Sequence, residues 1–250
     1  MQSFCAPSLI FPQQSISNLK TLTFGIDELD KLFGGLRLGE LVVFHSSWMC
    51  HLLSELLCVR SQLPYVKGGL GSTVVFIDGG NIFDPYFISQ TARQLSLNPE
   101  ETLRSIWISR AFTSYQLTAL IIEELPKILD REDSRLIVIS DITALFCDSD
   151  VGIWEARRTF NRVSLFLSEL VKQRNTILVV TSLSPRSERK RRLEQYLLGR
   201  ASVVAMVEAG NPHVKITLER HPSKALTSTS VDLFSEKLRI QPLLEEFMEV

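Results

Sequence analysis

The chain has 250 residues, 45% hydrophobic and 22% charged, ample material for the core of one large α/β domain, or of one domain plus a tail. A formal net charge of −1 and a pI near 6.4 set it apart from free-standing nucleic-acid binders, so any such role must rest on a local patch. Cys5, Cys50, Cys58 and Cys147 lack zinc-ribbon spacing and the density of a disulfide scaffold, which leaves free thiols in a reducing compartment. Residues 1–20, with Pro, Gln, Ser and Asn among scattered apolar side chains, read as an N-terminal arm, and 21–250 as the core domain. Leu41–Phe44 is a short buried strand, followed by a helix over Trp48–Gln62 with Leu52, Leu53, Leu56 and Leu57 on one side. Pro64 and Lys67-Gly68-Gly69-Leu70-Gly71 break that helix. Thr73–Asp78 is a β-branched strand ending in an acid, and Pro85–Leu95 is a helix stopped by Asn98-Pro99. Ser105–Ser109 is a strand, and Ser114 caps a helix to about Leu129 that Pro126 kinks or shortens. Leu136–Ser140 and Thr176–Thr181 are buried strands on either side of a long amphipathic helix over Ile153–Arg174. Apolar strands alternating with helices predict a parallel sheet covered on both faces. After Ser184 the pattern changes to a charge run and then two strands, Ser202–Val207 and Val214–Arg220, joined by Gly210-Asn211-Pro212 and expected to be antiparallel.

The turn between the first buried strand and its helix reads His45-Ser46-Ser47-Trp48-Met49-Cys50-His51. A phosphate-binding loop at such a turn reads G-x-x-x-x-G-K-[ST], in which glycines let backbone N–H groups close around phosphates and the Lys supplies charge. This turn has no Gly and no Lys, and it puts a bulky Trp where a triphosphate would lie. His45, Cys50, His51 and Cys58 cluster in sequence, but no C-x-x-C pair anchors a site, so no metal is expected. No apolar run approaches the ~20 residues that span a bilayer, and the N-terminus lacks the basic and apolar segments of a signal peptide. The chain is therefore expected inside the cell, without a membrane.

Gly25-Ile26-Asp27-Glu28-Leu29-Asp30-Lys31-Leu32-Phe33-Gly34-Gly35, then Gly39, resembles the segment that leads into the core of the RecA/RadA recombinases. Gln62-Leu63-Pro64, Lys67–Leu70, Ile77-Asp78 to Pro85, Asn98-Pro99-Glu100, Arg110-Ala111-Phe112 and Leu136–Phe146 fit the same family in order. The resemblance runs over roughly residues 21–235. It implies a RecA-like P-loop-type core with a mainly parallel sheet flanked by helices and a C-terminal antiparallel extension. The family's helix-hairpin-helix domain is not expected, since about 20 residues precede the core.

The departures from the family gather on one function. Cys50 and His51 stand approximately where the family has its loop Lys and Thr, and Gly80 where it has a catalytic Glu. Ser140 lines up with the Walker B Asp; Asp141 comes one residue later, and a shift of one on a strand is expected to turn it to the opposite face. Ser182-Leu183 occupies the Asn-Gln sensor. Without the Lys, the amide nest and the carboxylates, triphosphate, Mg²⁺ and attacking water lose their seats. The expectation is a pseudo-ATPase with no cofactor. By position along the chain, Arg186, Arg189, Lys190, Arg191 and Arg192 match the family's second DNA-binding loop. Arg157, Arg158 and Trp154 match the first, with Trp154 as a stacking surface. The plainer alternative is a solvated charge run and a core Trp. The family's Phe-x-x-Ala polymerisation segment has a mis-spaced counterpart in Phe4-Cys5-Ala6-Pro7, with Phe11 as a second anchor, so Phe4 and Phe11 are partner-binding candidates. The implied function is a non-catalytic recombinase paralogue in homologous recombination and DNA repair. Its expected partners are a RadA-type recombinase or another recombinase paralogue, in a hetero-oligomer, and single-stranded DNA. Its expected location is the cytoplasm and nucleoid, or the nucleus in a eukaryote. A protein scaffold without DNA contact, and a weak ATP-binding RadA-like ATPase, stay open as alternatives.

Overall fold

Segments such as Val74–Ile77 and Leu136–Ile139 carry apolar side chains on both faces, so each strand needs cover on either side. A computed structural model describes residues 21–184, 187–210 and 213–232. Its strands are β1 (Thr21–Leu22), β2 (Leu36–Arg37), β3 (Leu41–Ser46), β4 (Thr73–Asp78) and β5 (Ile106–Arg110). They continue with β6 (Ser134–Ser140), β7 (Ile177–Leu183), β8 (Val203–Glu208), β9 (Val214–Arg220) and β10 (Ser228–Val231). The helices are α1 (Asp27–Phe33), α2 (Met49–Arg60), α3 (Pro85–Gln94), α4 (Pro99–Arg104), α5 (Ser114–Ala119), α6 (Leu125–Arg131), α7 (Ile153–Arg174) and α8 (Glu188–Arg200).

β1 and β2 pair as a small antiparallel ribbon, and the other strands form one eight-stranded sheet in the order β10-β9-β8-β3-β7-β6-β4-β5. From β5 to β8 every neighbouring pair is parallel. The α/β class and mainly parallel sheet agree with the sequence pattern. One correction concerns β8: it pairs in parallel with β3 and antiparallel with β9, so it closes the parallel core as well as opening the extension. Side-chain alternation splits the core in two. Val42, Phe44, Val74 and Phe76 face a cluster with α1, α2 and α3 that includes the Phe24, Phe33 and Phe44 rings. Val43, Val75, Ile137 and Val180 face the other side, against α5, α7 and α8.

Three local departures have physical causes. Thr113, not Ser114, caps α5 by accepting from Gln116 N–H. Between α5 and α6 the chain continues through a π-helical stretch, Leu120–Glu124, directly before Pro126. The ring at 126 supplies no N–H, and widening the turn keeps the helix going past it. α2 is buried along all of Met49–Arg60 rather than on one side. The segment before β2 lies over it, where Arg60 donates to Thr23 O, Thr23 Oγ1 and Lys67 O. No helix among the described residues is long and apolar enough to cross a membrane.

Candidate functional site

The parallel strands β3, β4, β6 and β7 end along one edge, where open α/β sheets carry their ligand crevice. β3 runs out at Ser46, whose φ of +97° turns the chain without a glycine. The turn into α2 then closes on itself. Ser47 N–H donates to Val207 O at 3.1 Å, and Met49 N–H to Ser47 Oγ at 3.2 Å. Cys50 N–H and His51 N–H donate to the carbonyls of Ser47 and Trp48 at 3.1 and 2.9 Å. Amides that would ring an anion in a nest are thus bonded within the turn and to β8. Trp48, the residue expected where a triphosphate would lie, is 42% exposed. Beside the turn, His45 Nε2 lies 2.8 Å from Glu219 Oε2 on β9.

On the β4 side, Asp78 is fully buried and fully engaged. Its Oδ1 accepts from Ser140 Oγ at 2.7 Å and Ile82 N–H at 3.0 Å. Its Oδ2 takes Arg110 Nε and Nη2 at 3.1 and 3.0 Å, and Phe83 N–H at 3.3 Å. Charge-assisted bonds of this kind offset the desolvation of a buried carboxylate. Ser140 Oγ in turn accepts from Gly80 N–H at 3.0 Å. A Cβ at Gly80 would lie 3.2 Å from Asp141 Cβ and 3.5 Å from Ser140 Oγ, so the position has little room for a side chain.

Asp141 corrects the strand-parity argument. It lies just past the end of β6 with φ +32°, so the alternation of a regular strand no longer governs it. Its carboxylate points into the crevice, where Oδ1 accepts from Thr143 Oγ1, Leu183 N–H and Lys190 Nζ at 3.3, 3.3 and 3.1 Å. Thr181 Oγ1 accepts from Asp141 N–H at 2.9 Å and sits 3.1 Å from His51 Nδ1. The Thr181 hydroxyl thus bridges the Asp141 backbone and the His51 imidazole, with the donor between Thr181 Oγ1 and His51 Nδ1 set by the imidazole tautomer. Nε2 has no partner among the described residues. Burial holds the His51 pKa below the usual histidine value, against the weaker pull of Asp141 and Asp78. Burial likewise raises the Glu194 carboxyl, while its hydrogen bond to Ser182 opposes the shift. Burial pushes the Cys50 and Cys58 thiols up, which makes both poor nucleophiles. Among the described residues no group of His, Cys, Asp and Glu is arranged to hold a metal ion.

Arg189, Lys190, Arg191 and Arg192, expected in a loop, are on a helix. Ser187 caps α8 by accepting from Lys190 N–H, and this places Lys190 and Glu194 one turn apart, facing the crevice. Arg189 Nη2 donates to Val151 O at 2.8 Å, and Arg191 and Arg192 both pair with Glu188 at 3.0 Å. Arg157 stacks on Trp154 at 5.2 Å, and Arg158 is exposed. Trp154 is 79% exposed, which removes the alternative of a core Trp. Phe4, Phe11 and Arg186 lie outside the described residues. Sequence reasoning missed Lys190 as an internal partner, and also Arg110, Thr143, Thr181 and Glu194. A signal existed for α8: Ser187 as a cap, followed by Leu193 and Leu197 at helical spacing.

A family model described as Rad51 matches residues 15–185. The chain is similar to the DNA repair and recombination protein RadA of Cenarchaeum symbiosum, with 27% identity over 191 residues, covering 72% of this chain and 46% of that protein. It is also similar to the protein of the same description from Aeropyrum pernix, with 33% identity over 136 residues, covering 52% and 41%. The chain thus spans less than half the length of these curated relatives.

Proposed function

The chain belongs to the Rad51 family, and on that premise we propose that it serves homologous recombination and DNA repair inside the cell, by contact rather than by ATP turnover. It acts as a non-catalytic paralogue that docks to a RadA-type recombinase, or to another paralogue, in a hetero-oligomer. The observation that carries this reading is the Lys190–Asp141 ion pair at 3.1 Å, with the lysine 12% and the aspartate 8% exposed. The one lysine that enters the crevice among the described residues comes from α8 and is neutralised by a carboxylate of the same chain. Binding a triphosphate there would require breaking that pair and freeing the amides of Ser47, Met49, Cys50 and His51 from their present acceptors. The sequence departures at Cys50, His51, Gly80, Ser140, Ser182 and Leu183 support the same reading.

Partner docking is supported by the edge of β5, which among the described residues has β4 on one side only and exposes Trp107 and Ile108. An unpaired edge with large apolar side chains invites a strand from another chain. The test has two arms. Titration calorimetry with millimolar Mg-ATP is expected to give no binding heat. Co-purification with the RadA-type recombinase of the same cell at physiological salt is expected to give a stable complex. Saturable ATP binding with hydrolysis, or failure to associate, overturns the proposal.

A further inference from the structure

We propose that the exposed face of α7 is the docking surface for residues 242–250 of this same chain, in an intramolecular contact that shields two arginines from other anions. α7 buries Ala156, Phe160, Val163 and Leu167 against the sheet. Its outer stripe carries Trp154, Arg158, Arg162 and Leu165 at i, i+4, i+8 and i+11, so the four side chains follow one another along one face. The ends of the stripe are apolar, with Trp154 79% and Leu165 46% exposed. Arg158 and Arg162 between them are exposed, and among the described residues neither has a carboxylate partner, whereas Arg174, Arg191 and Arg192 each do. The groove beside the stripe, of about 450 Å³, has Glu155 as its one acid, and that carboxylate already accepts from Tyr115 Oη at 2.8 Å.

A helix face that is apolar at both ends and positive in the middle calls for an occupant that is apolar and acidic. Pro242-Leu243-Leu244-Glu245-Glu246-Phe247-Met248-Glu249-Val250, which lies outside the described residues, has that make-up. It holds three acids and no base, and Leu243, Leu244, Phe247 and Met248 recur at the spacing of one helical face. The topology delivers the segment to the right edge of the sheet. β10 pairs antiparallel with β9, and β9 with β8, so β10 runs in the direction of the parallel strands. Asp232 therefore leaves at the edge where β6 ends and the chain goes on into α7. β10 stands four places from β7, a span of about 19 Å. The residues between 232 and 242 reach up to about 33 Å when extended, enough to cross that span and turn onto the helical layer. The cations of α8 along the way are already paired, Lys190 with Asp141 and both Arg191 and Arg192 with Glu188. Tethered in this way the segment acts at a high effective concentration, so another anion reaches Arg158 and Arg162 only by displacing it.

The test is hydrogen exchange read by mass spectrometry on the full chain, with a synthetic peptide of residues 242–250 as the reference for free exchange. In wild type the amides of 243–250 are expected to exchange about tenfold more slowly than in the peptide. Arg158→Glu/Arg162→Glu is expected to abolish that protection, and so is Glu245→Arg/Glu246→Arg/Glu249→Arg. Combining the two sets restores opposite charges and is expected to bring the protection back, which a variant that merely failed to fold could not do. Because both α7 arginines are exposed, circular dichroism should show their variants folded. Exchange as fast as in the peptide overturns the proposal, and protection unchanged in Arg158→Glu/Arg162→Glu overturns the surface. Protection that grows with protein concentration overturns the intramolecular contact in favour of a second copy. An unprotected segment, with α7 slowed only in the complex with a co-purified recombinase, gives the stripe to that partner and overturns the proposal as well. The calorimetric and co-purification tests of the recombination reading stand or fall separately, since this contact is read in the isolated chain.

Discussion

Lys190 on α8 reaches across the crevice to Asp141, which lies one residue beyond the end of β6, and its ammonium rests 3.1 Å from Oδ1. Helix and sheet are joined there by a buried pair, and Leu183 N–H and the Thr143 hydroxyl complete the coordination of the carboxylate. The pair both anchors α8 and neutralises the crevice.

Removing one member of that pair strands the other. Lys190→Met is expected to destabilise the fold by about 3 kcal/mol, because a buried carboxylate loses its counter-charge. Adding Asp141→Asn should recover much of the loss, since the amide needs no cation. Urea denaturation of both single variants and the double variant gives the coupling energy directly.

Glu55 is buried on α2, where its Oε1 accepts from Asp84 N–H at 2.7 Å. Burial raises its carboxyl well above the usual value near 4.5. A raised folded-state pKa means the folded chain holds the proton more tightly than the unfolded chain. The stability this confers is complete below the unfolded pKa and is lost as pH rises toward the folded one. Glu55→Gln keeps the acceptor and removes the charge, so it should be more stable than wild type at neutral pH, with the difference closing below about pH 4.5. Thermal melts across pH test this, and a difference independent of pH would refute it.

Gly80→Glu places a side chain against Asp141 Cβ and Ser140 Oγ, at 3.2 and 3.5 Å from the new Cβ. Overpacking of this kind costs about 1–3 kcal/mol. The expected result is a lowered melting temperature with no gain of ATPase activity.

Thr181 links two groups, accepting from Asp141 N–H and hydrogen-bonding His51 Nδ1. Thr181→Val keeps the shape and leaves both without a partner, at a cost of about 1–3 kcal/mol for each buried polar group. In the variant, hydrogen exchange should rise first at Asp141 and Ile142.

The fold was legible wherever the local signal was strong. Strand β4 and helix α7 match their expected bounds because each is a pure period, apolar throughout or amphipathic at 3.6 residues per turn. The short pieces β1, β2 and β10 were missed, since two to four residues carry no period and owe their form to pairing. α8 was read as a loop because its cations hid the spacing of Leu193 and Leu197.

By itself the sequence determined the α/β class, the order of the strands along the chain, the likeness to the recombinases, and the absence of Gly and Lys from the turn after β3. These are local matters, written in periodicity and residue type. Only the tertiary structure decided where Asp141 points, what Lys190 touches and which carboxylates the arginines of α8 meet. Those facts depend on a positive φ at a strand end and on a helix packed some fifty residues further along the chain. Charge pairing over such separations is settled by geometry, and geometry arises only once the sheet and its helices have come together.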